Sequence, residues 1–109
     1  MVRCARRSQL FEDKLDSMIH RVLLSKRAAK DLGDVPAHVA VKLQAWKEGV
    51  ETIGLEEMRR RSGFHDEPLK GDRRGQRSIR LSRSYRAVYR IVNDQIVFVL
   101  VEEVNKHEY

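Results

Sequence analysis

Two arginines on neighbouring predicted strands have the spacing of a phosphate-binding pair. In the segment 78–81 the apolar side chains of Ile79 and Leu81 point to one side, so Arg80 projects to the other. Arg86 follows after a short turn and can join Arg80 on that face. A guanidinium group makes paired, charge-assisted hydrogen bonds to phosphate oxygens. The spacing therefore predicts a cationic concave face, although the same two arginines could simply solvate an exposed side of a sheet.

Groups that can exchange a proton lie in a glycine-containing loop and at the end of the chain. The loop 65–75 contains His65 and Lys70, and the final residues include His107 and Tyr109. The ordinary pKa of imidazole lies near neutral pH, which suits a general acid or base. Each signal is weak alone, because loop histidines are commonly surface residues and chain ends often carry polar residues. Beside the arginines, these groups are candidates for proton transfer at a bound phosphate.

The residue spacing argues against a metal centre. Neither the HExxH nor the EF-hand pattern occurs, and the positive charge near His65 and His107 would repel a cation. The basic loop is not a Walker loop, because no Gly-Lys-Ser/Thr follows a strand. Cys4 is the only cysteine, which excludes an internal disulfide and a cysteine-clustered zinc site. We therefore expect a site without a metal or a small-molecule cofactor.

Positive charge is concentrated in the second half of the chain. The segment 59–90 contains eleven basic and three acidic residues, a net charge of +8, whereas the whole chain carries +6 and the rest therefore −2. A solvated surface usually intersperses the two signs, while phosphate neutralisation supplies most of the non-specific affinity for nucleic acid. The distribution predicts a face that binds nucleic acid. The candidate substrate-binding residues are Lys70, Arg73, Arg74, Arg77 and Arg80.

The hydrophobic pattern predicts an α+β fold of order βααβββ, with a helical hairpin packed on a twisted, mainly antiparallel sheet. A short apolar strand at 21–24 leads to Ser25, which can cap a first helix of about 26–32 that ends at Gly33 in a left-handed conformation. A second helix starts near Pro36 and ends at Gly54. Its apolar residues recur at helical spacing: Val39, Leu43, Trp46, Val50 and Ile53.

The remaining elements are a short helical turn at 55–61 and three strands at 78–81, 85–92 and 96–104. Asn93 and Asp94 tolerate the positive φ of a tight hairpin and join the last two strands. The continuous apolar run 96–101 indicates a central strand that is covered on both faces.

Length and composition predict one domain. The chain has 109 residues, of which 41% are hydrophobic, and this suffices for a single core. We place the domain at 20–109 and treat 1–19 as an N-terminal extension. No apolar run of eighteen residues and no secretory signal occurs, so a cytoplasmic protein without a membrane partner is expected. The extension is a candidate amphipathic helix because its apolar residues recur at near-helical spacing: Leu10, Phe11, Leu15, Met18 and Ile19.

The loop, the strands and the chain end together resemble the RelE superfamily of toxin-antitoxin ribonuclease toxins, and HigB-like members most of all. The resemblance covers about residues 21–109, with the motifs in the family's order and at suitable separations. The matching segments are Pro-Leu-Lys-Gly-Asp-Arg-Arg-Gly at 68–75, Ser-Ile-Arg-Leu at 78–81, Tyr-Arg-Ala-Val-Tyr at 85–89, and the terminal His107 and Tyr109.

The resemblance implies a metal-independent endoribonuclease that cleaves messenger RNA, typically on the translating ribosome, and is silenced by a cognate antitoxin protein. Lys70 matches the lysine of the Pro-Leu-Lys-Gly motif, Arg86 the sheet arginine, and Arg80 the basic residue of the preceding strand. His65 is similar to the histidine that precedes the motif, here separated from it by two acidic residues.

In such a mechanism Arg86, Arg80 and Lys70 would hold the phosphate and stabilise its developing charge. His65 or His107 would take or give the proton, and Tyr109 would position a base. Glu102 and Glu103 are reserve bases, but they fit better as cross-strand partners of the arginines.

Three other functions fit the same sequence. A ParE-like protein of the same fold would poison DNA gyrase, and it is expected to lack the set of histidine, tyrosine and arginine. A basic RNA-binding module would bind without cleavage. A basic interaction protein would bind with an affinity that hardly changes with salt. If the chain is a toxin of either kind, RelE-like or ParE-like, the helical hairpin and the basic face are natural docking surfaces for an acidic, partly disordered antitoxin.

Overall fold

Three helices and five strands follow one another in residues 19–93 and 97–106, which the computed structural model describes. The α+β architecture predicted from the sequence is confirmed, and one short strand, β2, is added to the predicted order. Short 3-10 turns at Ser62–Phe64 and Gly71–Arg73 flank β2. The elements are β1 (Val22–Leu24), α1 (Lys26–Leu32), α2 (Ala37–Ile53), α3 (Leu55–Arg59), β2 (Glu67–Pro68), β3 (Arg77–Arg80), β4 (Tyr85–Asn93) and β5 (Val97–Lys106).

Polar side chains at the start and end of α1 bind both the helix and the sheet. The Ser25 hydroxyl accepts a hydrogen bond from the Ala28 N–H at 2.9 Å, which caps α1 as predicted. The same hydroxyl donates to the Glu102 carbonyl at 2.7 Å, and Asp31 Oδ2 accepts from the Val104 N–H at 3.0 Å. Side chains of the α1 segment therefore form hydrogen bonds with backbone groups of β5 beyond the end of β1.

The glycines that follow α1 and α2 have different backbone conformations. Gly54 has a φ of 94° and turns the chain from α2 directly into α3. Gly33 is right-handed, with φ −71° and ψ −16°, so the left-handed end predicted for α1 is wrong. α2 buries the predicted stripe up to Val50, whereas Ile53, the last residue of the helix, is 39% exposed.

The strands form one sheet in the order β1-β5-β4-β3-β2. β1 runs parallel to β5, and the other neighbours are antiparallel. β5 therefore lies inside the sheet, between β1 and β4, as its apolar sequence predicts. Val88 pairs with Glu103 and Tyr89 with Val101, which leaves Glu102 as the extra residue of a β-bulge.

One side of the sheet packs on α2. Trp46 and Tyr89 are fully buried, and their ring centroids are 5.1 Å apart. Ile79, Ala87 and Val104 belong to the same core, so the residues that alternate with them face the other way. We call that second side the arginine face; its residues are Ser78, Arg80, Arg86, Val88, Arg90, Glu103 and Asn105.

The domain core extends to the first described residue. Ile19 is 1% exposed, and its carbonyl accepts a hydrogen bond from the Leu55 N–H at 3.0 Å. The rest of the predicted N-terminal extension, residues 1–18, lies outside the described residues. Among the helices of the described ranges, none has the length and hydrophobicity needed to span a membrane.

Candidate functional site

Two arginines stand directly opposite each other on the arginine face. Arg80 on β3 pairs with Arg86 on β4, and Arg86 pairs with Asn105 on β5, so the three form one row across the sheet. Like charges in directly opposed cross-strand positions destabilise a sheet. The alternation in the sequence predicted that these two arginines share a face, and the register confirms it. A pair of this kind is suited to an anion that bridges both guanidinium groups.

The guanidinium group of Arg86 is incompletely satisfied. Its Nε atom is buried and has no hydrogen-bond partner within residues 19–93 and 97–106. A buried donor without an acceptor costs about 1–3 kcal/mol, and more when it is charged. Unsatisfied groups of this type are rare in folded proteins and call for a specific explanation. Arg86 thus retains a donor for an incoming acceptor at the row of three.

Acidic residues at the bulge neutralise the neighbouring arginines. Glu103 Oε2 lies 3.2 Å from Arg73 Nη2 and 3.6 Å from Arg27 Nη1. Glu102 accepts from Arg90 Nε at 3.0 Å and from Gln76 Nε2 at 2.7 Å. The cross-strand partnership expected for the glutamates is present for Glu102, which pairs with Arg90 on β4. Glu103 instead lies beside arginines of the Gly71–Arg73 turn and of α1. Arg73 and Arg90 are therefore each paired with a carboxylate of the bulge.

Lys70 lies at the far end of the β2–β3 hairpin. The Leu69 N–H donates to the Gln76 carbonyl at 2.9 Å, and Lys70 follows at the start of the 3-10 turn. Gln76 and Arg80 are four residues apart on the β3 segment, which corresponds to about 14 Å at the usual rise of a strand. Lys70 and Arg74 are exposed, and neither forms a side-chain ion pair within the described part of the chain. The hairpin end and the Arg80–Arg86 row are therefore separate cationic positions.

Arg77 lies on the side of the sheet that faces α2. Its Nε donates to Asp66 Oδ1 at 2.5 Å, and the Tyr89 hydroxyl donates to Asp66 Oδ2 at 2.5 Å. The Asp66 side chain is 0% exposed, so a buried carboxylate joins β3, β4 and the loop before β2. We call these three residues the Asp66 cluster. Arg77 was predicted to bind substrate, but it is held in this cluster on the opposite side from Arg86.

The environment keeps both partners of Asp66 protonated. Burial, together with the negative charge and hydrogen bond of Asp66, raises the pKa of Tyr89, so its hydroxyl remains a donor. Burial alone would lower the pKa of Arg77, but the hydrogen bond and charge of Asp66 raise it. The cluster was missed from the sequence, where Asp66 stands in a polar loop. The available signal was that Arg77 shares its strand parity with Ile79, a core residue.

His65 directly precedes the Asp66 cluster. It is exposed, and it ends the first 3-10 turn in a left-handed conformation, with φ 47° and ψ 56°. It is the one non-glycine residue with positive φ in the described part of the chain. His65 is therefore an accessible imidazole on a constrained backbone.

Two of the predicted site residues, His107 and Tyr109, lie outside the described residues. Within residues 19–93 and 97–106, no group of three or more histidine, cysteine, aspartate or glutamate side chains is arranged to hold a metal ion.

Comparisons with known proteins give structural matches. No protein-family model and no curated protein sequence matches the chain significantly. The solved structure of a YoeB/ParE toxin from Agrobacterium tumefaciens superposes with a TM-score of 0.63, 20% identity, and coverage of 81% of this chain and 99% of that chain. A chain of the archaeal RelE–RelB complex from Pyrococcus horikoshii OT3 gives a TM-score of 0.61, 23% identity, and coverage of 82% of this chain and 96% of that chain.

A third match comes from a bacterial toxin-antitoxin complex. The RelBE2 complex from Mycobacterium tuberculosis contains a chain that superposes with a TM-score of 0.60 and 20% identity, over 83% of this chain and 100% of that chain. Each of the three matches covers more than four fifths of this chain and nearly all of the matched chain. The chain therefore has the fold of the RelE/ParE toxins.

Proposed function

We propose that the chain is the toxin of a toxin-antitoxin pair, a HigB-like endoribonuclease that cleaves messenger RNA on the ribosome. The shared fold supports the assignment to toxins. The observation that carries the nuclease activity is the row of Arg80, Arg86 and Asn105, in which Arg86 has a buried donor without a partner among the described residues. Like charges placed side by side, with one donor unsatisfied, are best explained by an anionic group that binds there.

The reaction that suits this row is attack by the RNA on its own backbone. The 2′-oxygen forms a bond to the adjacent phosphorus while the bond from phosphorus to the 5′-oxygen breaks. The 2′-hydroxyl proton passes to a base, and the departing 5′-oxygen receives a proton from an acid. The products are a 2′,3′-cyclic phosphate and a 5′-hydroxyl end. Arg80 and Arg86 would stabilise the extra negative charge on phosphorus in the transition state.

The remaining roles follow from position along the sheet. Lys70 and Arg74 at the hairpin end would bind another phosphate of the same strand, about 14 Å from the first. His65 or His107 would act as the base or the acid, and Tyr109 would position a base. Each part therefore serves either to hold the RNA or to move a proton.

Arg86→Ala should lower the rate of messenger RNA cleavage at saturating RNA by about 100-fold or more. The reason is that the phosphate facing Arg86 carries its extra negative charge only in the transition state. The measurement is single-turnover cleavage with translating ribosomes, scored by cyclic phosphate ends. Arg60→Ala is the matched control, since it removes the same charge from an exposed arginine that pairs with Glu56 and Glu57 on α3.

Equal rates for the wild type and Arg86→Ala would reject the proposed role of Arg86. Binding without cleavage by the wild type would favour an RNA-binding module. Inhibition of DNA gyrase without RNA cleavage would instead favour a ParE-like toxin, which has the same fold.

His65→Ala and His107→Ala separate the two candidates for proton transfer. The variant that lacks the acting histidine should lose about 100-fold or more in cleavage rate, since general acid–base catalysis contributes about 10²–10⁴-fold. The other variant should retain nearly the wild-type rate. Unchanged affinity for RNA, measured by filter binding, checks that each loss is chemical. If both variants cleave normally, a residue other than these two exchanges the proton.

The proposed partner is a cognate antitoxin, and the proposed location is the cytoplasm. The matched structures from Pyrococcus horikoshii and Mycobacterium tuberculosis are complexes of this kind. Expression of the chain alone should stop growth, and co-expression with a small protein from the adjacent gene should restore it.

A further inference from the structure

The backbone of His65 is anchored on both sides by interior contacts. Before it, the Phe64 ring packs against the core and lies 4.9 Å from the ammonium group of Lys42. After it, the carboxylate of Asp66 is fully buried, and both of its oxygens accept hydrogen bonds within the Asp66 cluster. Between these anchors, the imidazole of His65 is exposed.

The conformation of His65 requires this support. A left-handed backbone costs a residue with a Cβ atom about 1–2 kcal/mol, so a free loop would relax away from it. The compensating contacts come from Asp66, which binds Arg77 and Tyr89, and Tyr89 in turn packs on Trp46 of α2. The position of His65 is therefore coupled through one carboxylate to the centre of the core.

Strand register brings this anchored residue toward the arginine row. Glu67 on β2 pairs with Ser78 on β3, and the two strands run in opposite directions. The chain before Glu67 therefore runs back along the end of β3 that carries Arg80, which faces Arg86. His65 leads into β2 at this end of the sheet, whereas Lys70 leaves at the other.

We propose that the Asp66 cluster is a positioning device, which holds the imidazole of His65 at the phosphate bound by Arg80 and Arg86. This inference rests on the proposed ribonuclease function. Asp66, Arg77 and Tyr89 touch neither RNA nor the reacting atoms; they fix the backbone from which His65 acts. A displacement of about 1 Å in an acting group can cost on the order of 100-fold in rate.

The first test compares Asp66→Asn with Glu67→Gln. The first substitution keeps the size of the side chain but removes the charge that binds Arg77, whereas Glu67 is the adjacent, exposed acid. Asp66→Asn should lower the cleavage rate at saturating RNA by about 10- to 100-fold, with the RNA dissociation constant unchanged. Glu67→Gln should leave both unchanged. An equal rate for Asp66→Asn and the wild type would overturn the proposal.

A double-mutant cycle separates positioning from general loss of structure. If Asp66 acts through His65, adding Asp66→Asn to His65→Ala should lower the rate no further. A further loss in that background, of the same size as in the wild type, would mean that Asp66 acts by another route. If Asp66→Asn fails to fold, Tyr89→Phe takes its place, because it removes one hydrogen bond and keeps the Asp66–Arg77 pair; no rate loss from it would also overturn the proposal.

The closing measurement does not depend on nuclease activity. In NMR spectra of the folded variants, the His65 ring resonances should shift in Asp66→Asn and Tyr89→Phe but not in Glu67→Gln. Unmoved His65 resonances would reject the positioning device even if the wild type cleaves RNA. If the resonances shift but the protein cleaves no RNA, the coupling of the Asp66 cluster to His65 is supported and only the proposed ribonuclease function is rejected.

Discussion

Arg77 and Arg80 lie on the same strand but have opposite environments. Arg77 binds a carboxylate that is 0% exposed, whereas Arg80 belongs to the exposed residues of the arginine face. Breaking a buried ion pair by removal of one partner leaves an uncompensated charge in the interior. At the residue scale, the first arginine therefore contributes to stability, whereas the second is available for the phosphate binding that we propose.

Arg77→Ala should lower the free energy of unfolding by about 3 kcal/mol, because Asp66 would remain buried without its cation. Arg83→Ala, in the exposed turn before β4, should change it by less than about 0.5 kcal/mol. Urea denaturation followed by circular dichroism measures both. Equal stabilities of the two variants would show that the Asp66–Arg77 pair contributes little.

The sequence predicts residue positions well where strand alternation decides them. Ile79 and Leu81 are both in the core, and Arg80 and Arg86 share the other face, as the period of two requires. Asp66 could not be predicted, because its partners Arg77 and Tyr89 are 11 and 23 residues away in the chain. From the sequence alone, an acidic residue in a loop is expected to be exposed to solvent; only the folded structure shows which strands cover it.

At the scale of elements, Glu103 tethers the β2–β3 hairpin to the sheet. Its carboxylate lies 3.2 Å from Arg73 Nη2, in the turn that begins after Lys70, and its side chain is only 13% exposed. Gln76 adds a second link through Glu102. The bulge in β5 places these two acids side by side, so they hold a loop that would otherwise extend away from the sheet.

Glu103→Gln should loosen this hairpin without unfolding the domain. The loss of about 1 kcal/mol from a partly buried ion pair corresponds to roughly fivefold more frequent local opening. Limited trypsin digestion should therefore cleave faster after Lys70, Arg73 and Arg74. Glu51→Gln, which breaks the exposed pair with Lys47 on α2, is the control and should not alter cleavage in the hairpin.

The elements with a strong pattern of their own were predictable, and those formed by long-range pairing were not. α1 has the predicted bounds, because Ser25 and the apolar spacing define it locally. β2 has two residues and exists only because it pairs with β3, so no hydrophobic periodicity in the sequence predicts it. The same holds for the parallel pairing of β1 with β5 and for the bulge at Glu102.

At the scale of the whole molecule, the net charge of +8 in segment 59–90 overstates the positive charge that is open to a ligand. Arg60, Arg73, Arg77 and Arg90 are all paired with carboxylates. The fold and the shared face of Arg80 and Arg86 were predictable from the sequence, but this neutralisation was not. It depends on which acids the folded chain brings to each arginine.

RNA binding should accordingly show a modest salt dependence. If Arg80, Arg86, Lys70 and Arg74 contact phosphates, the plot of log affinity against log salt for single-stranded RNA should have a slope of about −2 to −3. Arg86→Ala should make that slope shallower by about 0.7. Fluorescence anisotropy between low and physiological salt measures both. A flat plot would point to a protein-binding surface without phosphate contacts.

The short outer strands and the side chains of the α1 segment also affect whether copies of the protein can associate through the edges of their sheets. Exposed strand edges act as templates on which other chains add, and this is the route to fibrils. In the described chain the outer strands have three and two residues, one of them Pro68, and Asp31 occupies the Val104 N–H. Little open strand edge is therefore left in the described chain, and we expect few positions at which a second copy could extend the sheet.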